Sequence, residues 1–271
     1  MDLWGNEDWW DREAEEKKPP EETDYEGMER EFYHCRACPL RREGGHGPVL
    51  STGPCPAPLM LVGEGPGSVE DEQGLPLIGQ SGQLLDRALL SVGITRDHVY
   101  VTNIVKCRPR GNRTPTQQEG YFCASRWLVR EIGLVKPKVI VALGKPALRF
   151  FLGREAGIIR NRGHWISWHG IPVMPTFHPA YLLRQEGHAQ VEAKWAVYYD
   201  LKAARDKAAA LAPDWVWKSG NVPDLTEMSR RYMDCQPSDL DAKNISETLM
   251  RWILWIASLI KSENAKEAVQ K

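Results

Sequence analysis

The residues of this chain best suited to chemistry are six cysteines, an asparagine inside an apolar run and a histidine followed by proline. Cys35 and Cys38 form a Cys-x2-Cys pair, while Cys107 and Cys123 are separated by fifteen residues and follow a strand-like segment. Four thiolates can converge if the N-terminal pair folds back over the connection that carries Cys107. Such a set suits tetrahedral zinc or an iron–sulfur cluster, both soft centres neutralised by thiolate charge. Spacing alone does not choose between them. Four-cysteine zinc sites usually present two close pairs, and the single close pair here leans towards iron–sulfur. The bland alternative is four unrelated buried thiols, because free cysteine is commonly buried. Cys55 and Cys235 read as unpaired and inert.

Three further groups fall where apolar runs end. Gly63-Glu64-Gly65-Pro66-Gly67 lets the backbone approach a flat ligand and sets a carboxylate beside exposed amides. It is not a Walker loop, since no Lys-Ser/Thr follows the last glycine. Asn103 offers a donor and an acceptor that could read a base edge, or else a satisfied core amide. His178-Pro179 precedes Ala180-Tyr181-Leu182-Leu183-Arg184. An imidazole there can donate to a developing anion, and the apolar pair beside Arg184 could wedge into stacked bases.

These groups need a scaffold, and the apolar pattern predicts one. Short apolar runs alternate with helical patterns from Leu59, as in an α/β sheet. Strands are expected at Leu59–Val62, Tyr100–Val105 and Val139–Leu143, with a fourth ending before His178. Ile166–Met174 reads as a hairpin around His169-Gly170. Helices are expected over Gly82–Val92, from Thr116 to about Ile132 behind a capping box with Glu119, over Lys145–Leu152, and from Ala189 to Leu211. In open α/β sheets ligands bind outside the carboxyl ends of the strands, where all three groups fall.

Charge narrows the ligand. The 271 residues carry Lys+Arg 35 against Asp+Glu 36, a net charge of −1, so attraction to nucleic acid requires segregated charge. Residues 101–165 hold 13 basic and 3 acidic residues, including Lys106, Arg108, Arg110, Arg113, Arg160 and Arg162, which suggests a basic surface for a phosphate backbone. The acids collect in residues 1–34, with 13 against 4 bases; this stretch reads as a flexible arm carrying Trp4, Trp9 and Trp10. The body is placed at 35–212, and 213–271 as an extension with an amphipathic helix over Asn244–Ile260. Arm and C-terminal helix are candidate docking segments for a replication or repair protein. No run of 18 apolar residues occurs, and Met1–Trp10 lacks the basic, then apolar pattern of a secretory signal. The expectation is a soluble cytoplasmic protein without a membrane partner, its cysteines reduced.

Taken together, the motifs resemble those of family 4 uracil-DNA glycosylases, the iron–sulfur branch of the uracil-DNA glycosylase superfamily. The resemblance covers about Cys35 to Arg205. It runs through Gly63–Gly67, Glu70-Asp71, Gly74-Leu75-Pro76, Gly79-Gln80-Ser81-Gly82, Asn103–Pro109, Asn112-Arg113-Thr114-Pro115 and His178-Pro179. It implies a three-layer α/β sandwich with a central four-stranded parallel sheet between helices, and a [4Fe–4S] cluster on Cys35, Cys38, Cys107 and Cys123 that braces loops near DNA. It also implies hydrolytic removal of uracil from deaminated DNA, leaving an abasic site. His178 would face uracil O2, Asn103 would pair with the O4/N3–H edge, and the Glu64-Gly65 backbone would contact the pyrimidine. Glu70 would exclude a 5-methyl group, and Glu64 would position water or balance the oxocarbenium charge. Leu182, Leu183 and Arg184 would fill the vacated stack, and Arg110 and Arg113 would meet the backbone. The family usually places phenylalanine where this chain has Leu77, which implies weaker stacking on the base. The rival from another class is a catalytically silent iron–sulfur module that binds DNA and recruits repair proteins.

Overall fold

The computed structural model describes residues 25–43 and 45–217. The tryptophans of the N-terminal arm, Cys235 and the helix expected over Asn244–Ile260 lie outside the described residues.

Five-residue runs without a polar side chain are suited to strands covered on both faces, and Leu59–Gly63 (β2) and Val139–Leu143 (β4) are buried at every position. They pair in parallel at the centre of the sheet. Tyr100–Asn103 (β3) pairs parallel to β2, and Ile171–Thr176 (β6) parallel to β4. Two short antiparallel strands, Ser51–Thr52 (β1) and Ile166–Trp168 (β5), close the edges, giving the order β1-β3-β2-β4-β6-β5. The expected four parallel strands are thus the middle of a mixed six-stranded sheet. β1, two residues long, carries no readable alternation, and β5 is the first arm of the expected hairpin, now part of the sheet.

Alternation along the strands sends side chains to two layers. Met60, Val62, Tyr100, Ile140 and Ala142 pack with residues of Tyr25–Tyr33 (α1), Gln117–Arg126 (α4), Leu128–Val135 (α5) and Gly144–Leu152 (α6). Leu59, Leu61, Val101, Val141 and Leu143 pack with Gln80–Ser91 (α3), Pro179–Leu183 (α8) and Gly187–Leu211 (α9). Short helices Ser68–Gln73 (α2) and Ile158–Asn161 (α7) complete the set.

Two expectations are corrected. The stretch before Cys35 is not arm throughout: α1 places Met28 and Phe32, both 0% exposed, in the core. Tyr25, Met28 and Phe32 follow helical spacing, masked in the sequence by the acids between them. The single helix expected from Thr116 breaks at Trp127, whose side chain turns inward against Phe32 with ring centroids 5.3 Å apart and with Arg126 and Arg130 over its ring. The capping box that starts it is present, with Glu119 N–H donating to Thr116 Oγ1 and Thr116 N–H to Glu119 Oε2. No helix among the described residues is long and apolar enough to cross a membrane.

Candidate active site

Because β3, β2, β4 and β6 are parallel, their carboxyl ends lie on one rim of the sheet. Gly63 ends β2 directly opposite Asn103 at the end of β3. A Cβ at residue 63 would lie 2.3 Å from Asn103 Oδ1 and 3.3 Å from Leu77 Cδ1, so glycine there lets amide and leucine meet over the strand tip. At the other end of the rim, Gly144 has a φ of 86°, and a Cβ on it would come within 2.9 Å of His178 Cβ. Glycine thus seats the imidazole against the end of β4.

His178 caps α8, its Nδ1 accepting the Ala180 N–H at 3.1 Å. That bond fixes the neutral tautomer with the proton on Nε2. Burial, aided by the positive charge of Arg184 and opposed by Glu70, pushes the His178 pKa down to about 4. Nε2 is buried and has no partner, and the same holds for both Oδ1 and Nδ2 of Asn103. Burial raises the Glu64 carboxyl above its usual range, against the Thr114 hydroxyl and Arg184, which favour its charge. The Arg184 charge thus reaches both Glu64 and His178.

Other expected site residues take different places. Glu70 accepts N–H donors from Gly67 at 3.1 Å, Ile78 at 3.0 Å and Gly79 at 2.7 Å, so its carboxylate ties the loop around Leu77. Gly65 packs against Val105 and Pro115, where a Cβ would come within 2.5 Å of Val105 Cγ2. Leu182 is 3% exposed and belongs to the core, because it lies on the inward side of α8; Leu183 and Arg184 are exposed. The expected wedge therefore reduces to Leu183 and Arg184. Arg113 is held by Glu43 at 2.6 Å and Glu119 at 2.8 Å, which makes it a loop clamp, and the pairing pulls Glu119 down to about 2. The Arg110 side chain is exposed. Two members of the expected basic surface are also otherwise engaged. Lys106, 1% exposed, pairs with Glu131 at 2.5 Å, and Arg162 pairs with Asp200 at 2.8 Å.

Sequence reasoning missed Arg96. Its guanidinium donates to the carbonyls of Pro76 and Leu77 and to Asp86, fixing Leu77 in a left-handed conformation with φ 51°. Gly82 makes room for the same carbonyl, since a Cβ there would collide with Leu77 O. Nothing local marks Arg96, which lies in a single 3-10 turn nineteen residues beyond Leu77.

The four cysteines form one electrostatic neighbourhood. Cys38 feels Cys35, Cys107 feels Cys38 and Cys35, and Cys123 feels Cys38 and Cys107. Burial drives Cys107 up to about 12 and Cys123 higher still, so as free thiols they hold their protons. Burial raises Cys38 as well, opposed there by the backbone N–H groups of Arg41 and Leu40, which donate to its Sγ. Among the described residues no three His, Cys, Asp or Glu are grouped to hold a metal ion. Cys55 is exposed and free.

A parallel sheet with a rim of polar residues at its strand ends is a common ligand-binding plan, and comparison with known proteins gives it a lineage. The family model of the uracil DNA glycosylase superfamily matches residues 50–202. The chain belongs to that superfamily. It is 43% identical over 173 residues to a type-4 uracil-DNA glycosylase of Thermotoga maritima, covering 63% of this chain and 88% of the relative. Type-4 uracil-DNA glycosylases of Pyrobaculum aerophilum (39% identical; 56% of this chain, 81% of the relative) and Sulfurisphaera tokodaii (36%; 57% and 74%) are similar along the same region.

Proposed function

We propose that this protein removes uracil from deaminated DNA by hydrolysing the N-glycosidic bond, leaving an abasic site. The observation that carries the reading is the set of buried, unpartnered polar atoms on the rim: Nε2 of His178 with Oδ1 and Nδ2 of Asn103. A buried polar atom without a partner costs about 1–3 kcal/mol, a cost that a ligand matching it removes. Uracil matches. Asn103 Nδ2 can donate to O4 while Oδ1 accepts N3–H, a pattern that cytosine, with an amino group and a bare N3, does not meet.

Cleavage leaves electrons on the departing base as the sugar becomes oxocarbenium-like. The neutral imidazole donates from Nε2 to O2 as negative charge grows there, and a donor already oriented needs no reorganisation. Glu64, when ionised, can balance the sugar cation or orient the attacking water. The water supplies hydroxide to C1′, and its proton ends on the uracil anion or in solvent. A base inside a duplex reaches this rim only by rotating out, and the exposed Leu183 and Arg184 would occupy the gap.

A [4Fe–4S] cluster is supported by the donor chemistry of the four cysteines, which among the described residues are not grouped to hold a metal ion. Four thiols share one neighbourhood, with backbone N–H groups already directed at Cys38. Cys35, Cys38, Cys107 and Cys123 would hold it, and the bound cluster would supply mechanical bracing between the segment before β1 and the loop after β3. Brown protein with iron and sulfide would support this ligand set, whereas zinc without sulfide would refute it.

A uracil-containing oligonucleotide incubated with the protein and then heated in alkali tests the activity. Breakage at uracil, with matched thymine and cytosine strands intact, is the expected result. An intact uracil strand would favour the silent module.

A further inference from the structure

A cleft of about 370 Å³ is lined by Glu64 but by none of Leu77, Asn103 and His178. Its size falls within the ~300–1,000 Å³ of ligand clefts. Glu64 forms part of its wall, so the cleft adjoins the carboxyl proposed to act at the sugar. The rest includes Gln117 and Tyr121 of α4 and Lys145, Arg149 and Phe150 of α6. Tyr121 and Phe150 form a tilted ring pair with centroids 6.1 Å apart. Lys145 is exposed, and Arg149 makes one long bond, Nε to Ala156 O at 3.4 Å. The lining thus combines two cations, an aromatic pair and an amide, with Glu64 as its carboxylate.

Resting on the uracil-DNA reading, we propose that this cleft is a strand subsite, which receives the nucleotide adjoining the extruded uridine. Its phosphate lies between Lys145 and Arg149, and its sugar and base lie against Tyr121 and Phe150. Three points select this occupant. A nucleotide joined to the uridine must leave the base site beside the sugar, where Glu64 is proposed to act. Two cations and two aromatic rings lining one cleft complement a phosphate followed by a π-face, the combination that binds single strands. The cleft admits one unstacked nucleotide but not a paired duplex, so the subsite favours single-stranded or locally opened DNA.

The test is fluorescence anisotropy with a single-stranded oligonucleotide carrying a non-cleavable abasic analogue, titrated at several salt concentrations. Uracil release is measured in parallel. Lys145→Ala and Arg149→Gln should each weaken binding about tenfold, the loss expected for a charge-assisted contact. Each should also flatten the salt dependence of log K by about 0.7 for the phosphate contact removed. Arg149→Lys should restore the slope, which a packing defect would not. Melting curves show whether each variant is folded; Lys145, exposed to solvent, is the cleaner substitution. Unchanged affinity and slope in folded Lys145→Ala and Arg149→Gln would overturn the subsite even if uracil release is intact. Loss of slope in both variants, in a wild-type protein that releases no uracil, would support the subsite and sink the glycosylase reading instead.

Discussion

Thr102 and Asn103 are consecutive on β3 and so face opposite layers of the sheet, each within a buried polar region. On the Thr102 side, Tyr100, Thr102, Lys106 and Glu131 bond one another, and the network extends to Ser51 and Tyr25. On the Asn103 side the carboxamide and the imidazole of His178 leave buried atoms without partners. One strand therefore carries a saturated polar cluster on one face and an unsatisfied amide on the other. The saturated cluster ties α1, the sheet and α5 together at the segment leading to Cys107. On the proposed reading, the unsatisfied amide and imidazole keep their bonding capacity for the extruded base. The difference in hydrogen-bond accounting is what sets the two apart, since Thr102 and Asn103 are equally buried.

The sharpest way to break that contrast is to remove one member of each cluster. Glu131→Ala strands the Lys106 ammonium in the core and should lower unfolding free energy by about 3–5 kcal/mol, measured by chemical denaturation. Asn103→Ala deletes two unsatisfied atoms and should leave stability close to wild type. Equal losses in the two variants would erase the distinction.

Activity should respond in the opposite sense. Asn103→Ala and His178→Ala should each lower kcat for uracil release by about 10²–10³, the usual effect of losing an oriented donor to a developing anion. Folded Glu131→Gln should retain most of its kcat. Single-turnover assays at saturating enzyme separate these outcomes from weaker DNA binding.

The pH dependence of stability sharpens the same comparison. His178 stays neutral in the folded protein down to about pH 4, whereas the unfolded histidine titrates near 6.5. Above 6.5 neither state binds a proton and stability is full. Between 6.5 and 4 the unfolded chain takes up the proton first, so stability falls as pH falls, reaching on the order of 3 kcal/mol before it levels below 4. Denaturation of wild type and His178→Asn across this window should show that difference closing as pH rises. Parallel curves would mean the imidazole is not held neutral.

The parts of this arrangement that could be read in advance are those that a local pattern encodes. Buried runs such as Leu59–Val62 and Val139–Leu143 announce central strands, and Asn103 and His178 stand out because each is polar at the end of an apolar run. What could not be read depends on distant partners. Lys106 looks like surface charge until Glu131 is found beside it, Arg113 looks like a phosphate ligand until Glu43 and Glu119 close on it, and Leu182 is told from Leu183 only by the angle at which α8 meets the sheet. α1 was hidden for a different reason, since acids on its outer side outweigh the three apolar residues turned inward.

The smallest expected effect concerns Leu77, which lies in the tied loop and near the unsatisfied Asn103. Arg96 donates to the Leu77 carbonyl, Glu70 accepts the N–H groups of the next two residues, Ile78 and Gly79, and the leucine side chain and Asn103 both lie over Gly63. Leu77→Phe keeps that backbone while adding a ring able to overlap the base, and stacking on an aromatic is worth about 1–3 kcal/mol. KM for uracil-DNA should therefore fall, with kcat changed less. Arg96→Ala supplies the opposing case: it frees two carbonyls and relaxes the left-handed turn, so added aromatic surface should no longer help. If Leu77→Phe lowers KM to the same degree with and without Arg96, the loop is not held by that guanidinium, and the platform owes its position to Glu70 and the Gly82 contact instead.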